Sequence, residues 1–140
     1  MIGDEEKWAH DLAKKINDKA EQTRLDTKAF VLKEELKRTH GPSLWVEMKD
    51  SIRSKAEALN RAAERDVFIC DTTHPRKVVV YGRTVAEFNR EKLILQCMFS
   101  SAYERFSVKV GDDGEMCFWS KSLGSRTVDQ LATHLIESNC

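Results

Sequence analysis

Apolar residues recur at helical spacing up to Asp66 and alternate like strands beyond it, until a last helical stretch begins after Ser125. Asp4 to about Thr39 reads as one long helix, with Asp4 as a cap and Glu5 and Glu6 at the positive end of the macrodipole. Gly41 reads as a left-handed stop, and Pro42 as a block to continuation. Ser43 can cap a second helix over Leu44 to Arg65. Its apolar stripe is Trp45, Met48, Ile52, Ala56, Leu59 and Ala63, which is one helix face. The connection is short, so the two helices are expected to be antiparallel neighbours, a helical hairpin over 4–65.

The first helix carries two stripes. Trp8, Leu12, Ile16, Ala20, Thr23, Thr27 and Phe30 form one; Leu25, Ala29, Leu32 and Leu36 form the other. At about 100° per residue the second lies nearly opposite the first. Either one core wraps the helix, or one stripe serves this domain and the other a second copy.

Strands are expected over 67–120. Val67 to Cys70 is short and apolar, and Thr72 to Pro75 is a turn. Lys77 to Tyr81 is a strand with Gly82 as a bulge or an end, and Arg83 to Asn89 is either a strand or a helical turn. Lys92 to Ser100 looks buried on both faces and hence central. Tyr103 to Val110 alternates, with Phe106, Val108 and Val110 inward. Gly111 to Gly114 is a hairpin loop, and Glu115 to Ser120 is the return strand. A last helix over 127–138 starts with a Thr127–Gln130 capping box and has the stripe Val128, Leu131, Ala132 and Leu135. The expected fold is α+β in one domain over 1–140: an N-terminal helical hairpin, a mainly antiparallel sheet of about five strands, and a C-terminal helix.

Charge narrows the function classes. The chain has 23 basic and 23 acidic residues, and the balance holds segment by segment, with nine of each from Met1 to Gly41. A phosphate-binding surface needs a local basic excess, so nucleic acid is an unfavoured partner even for a patch of Lys33, Lys37, Arg38, Arg53, Arg61 and Arg65. No apolar run matches a membrane span, and the acidic N-terminus lacks a signal core, so a cytoplasmic location is expected. Cys70, Cys97, Cys117 and Cys140 are widely spaced and read as free thiols.

Candidate chemistry is sparse. Cys70, Asp71 and His74 are the nearest cluster of reactive types, but a thiol and an imidazole four residues apart on a turn seldom meet. The histidines His10, His40, His74 and His134 fall in four segments, no paired-ligand spacing occurs, and no metal or cofactor is expected. His10 and His134 read as solvent-facing. Phe118 and Trp119 are adjacent in a strand and must face opposite sides, as must Tyr81 and Val80. An apolar outer face then needs a covering chain or a ligand. The leading reading is a non-enzymatic binding or assembly module that self-associates through Leu25, Ala29, Leu32 and Leu36, as a homo-oligomer or with a protein partner. The rival is a small-molecule-binding domain or small enzyme with a pocket near Tyr81, Cys97 and Trp119 between sheet and helices.

Overall fold

A computed structural model describes residues 3–100 and 102–140. Residue contacts divide the chain into two units, Met1–Glu35 and Leu36–Cys140. The helix α1 runs Asp4–Ala63 and is followed by seven strands: β1 (Cys70–Asp71), β2 (Lys77–Val80), β3 (Arg83–Asn89), β4 (Ile94–Phe99), β5 (Ala102–Val110), β6 (Met116–Ser120) and β7 (Gly124–Arg126). The helix α2, Val128–Asn139, ends the fold. The class is α+β, as the change of period predicts.

The expected helical hairpin is replaced by one helix, with Pro42 inside it. Proline there removes a backbone donor, at a cost of about 3 kcal/mol in a helix interior. Gly41 explains why the chain continues as helix. It is buried and not left-handed, and a Cβ added to it would lie 3.0 Å from Leu93 Cδ2. The glycine at this position therefore admits a side chain from the β3–β4 turn, and packing overrides the stop signal. Leu44, Trp45, Met48, Ile52 and Ala56 bury the same side of the following turns, whereas Ala63 is exposed. The helix ends at Glu64, which takes the left-handed conformation (φ 57°), with the Arg65 N–H donating to the Asn60 carbonyl at 3.2 Å. That is the hydrogen bond of a Schellman stop, formed without glycine.

The sheet has seven strands where about five are expected, and its order is β1-β2-β3-β4-β5-β6-β7, antiparallel throughout. The expected Val67–Cys70 run contributes only Cys70 to the short strand β1, and the two additions are β3 and β7. Arg83–Asn89, open between two readings in the sequence, is a strand with a bulge. Val78 pairs with Ala86 and Val79 with Thr84, which leaves Val85 as the extra residue. Both Val85 and Ala86 are buried as a result.

One face of the sheet forms the core of the second unit. Val78, Phe88, Leu95, Cys97, Phe106, Val108 and Phe118 meet the buried stripe of α1 and Leu131, Ala132, Leu135 and Ile136 of α2. Trp45 stacks on Phe88 with centroids 5.6 Å apart, and its indole Nε1 donates to the Pro75 carbonyl at 2.8 Å. The indole thus satisfies its polar edge while burying its rings. At the start of α2 the Thr127 hydroxyl accepts from the Gln130 N–H at 3.1 Å, and the Gln130 amide oxygen accepts from the Thr127 N–H at 3.0 Å. The capping box read in the sequence is present.

Candidate functional site

In the unit Met1–Glu35 every described position from Gly3 to Leu32 is exposed. Helix formation there rests on local terms. Asp4, Glu5 and Glu6 occupy the first turn, Arg24 donates to Glu21 at 2.6 Å, and Gln22 donates to Asp26 at 2.9 Å. Hydrogen-bonding to Arg24 holds the Glu21 carboxyl below its ordinary range, and the same contact raises Arg24. Such exposed pairs contribute little, because solvent screens the charges.

The apolar groups on this helix are large. Trp8, Ile16, Leu25, Phe30 and Leu32 are all exposed, with Leu25 at 46% and Leu32 at 56%. Ala29 is exposed too, and Leu36, which belongs to the second unit, is half-buried. A concavity lined by Asp4, Lys7, Trp8, Asp11, Leu12 and Lys15 lies on one side of the helix alone and encloses nothing.

The rival pocket residues are not brought together. Tyr81 sits exposed in the β2–β3 turn with φ 50°, its hydroxyl donating to the Val67 carbonyl at 2.8 Å. Cys97 is sealed in the core face of β4, where burial pushes its thiol well above the usual range. Trp119 is on β6, on the face opposite Phe118, with the Lys109 ammonium 5.6 Å from its ring centroid. Strands β2 and β6 are four positions apart in the sheet, which is about 19 Å at the usual strand spacing. The open face is more polar than the sequence implies. Glu87, Gln96 and Arg105 lie side by side across β3, β4 and β5, and a shallow cleft there is lined by these three with Asn89, Lys92 and Ile94.

The cluster near Cys70 is a turn. Asp71 accepts from both the hydroxyl and the N–H of Thr73, and these bonds hold its carboxyl low. The His74 Nδ1 accepts from the Arg76 N–H at 3.1 Å. Burial first, then the nearby Asp71 and Glu57 carboxylates, raise the Cys70 thiol, which opposes a thiolate nucleophile. His134 is not solvent-facing as expected: it is half-buried and stacks on Phe99 at 4.2 Å. Among the described residues no group of three or more His, Cys, Asp or Glu side chains could hold a metal ion, and no helix is long and apolar enough to cross a membrane.

A structurally important residue that periodicity does not flag is Asn60. Its amide oxygen accepts from the Val67 and Phe68 N–H groups, each at 2.9 Å, and its amide nitrogen donates to the Phe68 carbonyl at 3.0 Å. It ties the end of α1 to the chain entering the sheet. A lone asparagine on a helix gives no periodic signal; only the non-local partner reveals its role. No protein-family model, no curated protein and no solved structure matches this chain.

Proposed function

We propose that the protein is a non-enzymatic assembly module that associates with a second copy of itself through the helix surface of Leu25, Ala29 and Leu32. The observation that supports this reading is the exposure of both leucines on a helix that buries nothing from Gly3 to Leu32. A helix is only marginally stable without a packed face, and an apolar stripe left in water contributes nothing to it. A second helix laid on the stripe supplies the missing burial. At about 25 cal/mol per Å² of apolar area, two leucines from each copy contribute several kcal/mol before the cost of association.

The test is mass in solution. By light scattering the wild-type chain is expected to be a dimer. Leu25→Glu with Leu32→Glu is expected to be a folded monomer, because the charges enter a surface between chains. A monomeric wild type overturns the proposal. Unfolding of the sheet in the double variant would also overturn it, by placing those leucines in a core.

A further inference from the structure

We infer that the two copies pair with their helices antiparallel, in a register that sets Ala29 opposite the partner's Leu32. This rests on the self-association proposed above and adds its orientation. Charge along the helix of the unit Met1–Glu35 sets the orientation. Taking Leu25, Ala29 and Leu32 as the seam, the residues that flank it fall on two edges. Lys14, Glu21, Lys28 and Glu35 form one edge, and Lys19, Asp26 and Lys33 form the other. Both edges alternate in sign at seven-residue intervals. Flanking residues of this kind set partner choice and orientation when two helices pair.

In a parallel, in-register pair each residue of the first edge meets the residue five positions later on the partner's second edge. That sets Lys14 against the partner's Lys19, Glu21 against the partner's Asp26, and Lys28 against the partner's Lys33. All three contacts join like charges. Sliding a parallel pair by seven residues would match signs, but the resulting contact is heterologous and does not close.

In an antiparallel pair each edge meets its own counterpart. With Ala29 opposite the partner's Leu32, Lys28 faces the partner's Glu35 and Asp26 faces the partner's Lys33. Two-fold symmetry repeats both, which gives four opposite-charge contacts. The seam also fits by size, with a small residue facing a large one. Moving the antiparallel register by seven residues in either direction sets Lys28 against the partner's Lys28, or Lys33 against the partner's Lys33. One register therefore satisfies both the apolar and the charged positions.

The experiment is charge reversal read by sedimentation equilibrium at low salt, where exposed pairs are least screened. Lys28→Glu is expected to weaken the dimer roughly five- to tenfold, because two attractions become two repulsions. Lys28→Glu combined with Glu35→Lys restores the attraction and is expected to recover wild-type affinity. Lys28 is exposed and Arg24 lies one turn before it, so the reversal does not threaten the helix itself. A dimer that becomes tighter in Lys28→Glu overturns the antiparallel assignment and leaves self-association standing, since the parallel pair would gain an attraction with Lys33. An unchanged dimer overturns the assignment too. A monomeric wild type overturns the underlying proposal and this one with it.

Discussion

The helix α1 contains two stretches with different sources of order. From Gly41 to Ala56 it buries Gly41, Leu44, Trp45, Met48, Ile52 and Ala56. From Gly3 to Leu32 it buries nothing, although Trp8, Ile16, Leu25, Phe30 and Leu32 are as apolar as the residues of the buried stretch. The difference lies in pattern. The buried stretch keeps one stripe at spacings of three and four, so a single sheet face can accept it. The exposed stretch divides its apolar groups between two nearly opposite sides, which no single sheet face can cover. Apolar content alone does not tell a buried segment from an exposed one; its angular distribution does.

Substitutions on the two stretches should separate them. Ile52 is fully buried, so Ile52→Ala is expected to cost about 2–5 kcal/mol in denaturant unfolding, through lost transfer energy and the cavity left behind. A cost below about 1 kcal/mol would mean that the stripe around Ile52 is not the core and would remove the contrast. Asn60→Ala comes next, at about 1–3 kcal/mol, because three hydrogen bonds to Val67 and Phe68 lose their partner in a half-buried place. Its loss should show first as faster amide exchange at Val67 and Phe68, ahead of the central strands. If those amides keep their protection, water replaces the side chain and the clamp is dispensable. Smallest is Leu32→Ala, which should change amide protection in β4 and β5 by less than about 0.5 kcal/mol. A larger loss there would tie Leu32 to the folding of the sheet and sharpen the comparison in the opposite sense.

Much of the α+β fold was legible in residues whose neighbours in sequence decide their fate. The alternation of Phe106, Val108 and Val110 places all three inward, and they are buried. The Thr127–Gln130 box is likewise a local device. The reading fails where a distant partner decides. Gly41-Pro42 has the composition of a helix stop, and Leu93, far along the chain, turns it into a packing position. Strand β7 is three residues long, too short for a period to register. Asn60 and His134 act through Phe68 and Phe99, which no spacing rule joins to them. Of the candidate site, Leu25, Ala29 and Leu32 stood out by spacing, but their exposure is a property of the fold.

The order of the sheet has a consequence for how copies of the chain can meet. A sheet in which each strand pairs only with its sequence neighbours leaves two borders, β1 and β7. An unpaired border is an invitation to add a foreign strand, and long flat borders lead to aggregation. Here the borders are Cys70–Asp71 and Gly124–Arg126, so short that they offer a newcomer only a few backbone groups. The β1 border is followed by a turn through Asp71 and Thr73, and the β7 border by the cap of α2. Strand addition therefore has little to build on at either end of the sheet, and the assembly proposed above is left to the exposed residues of the helix.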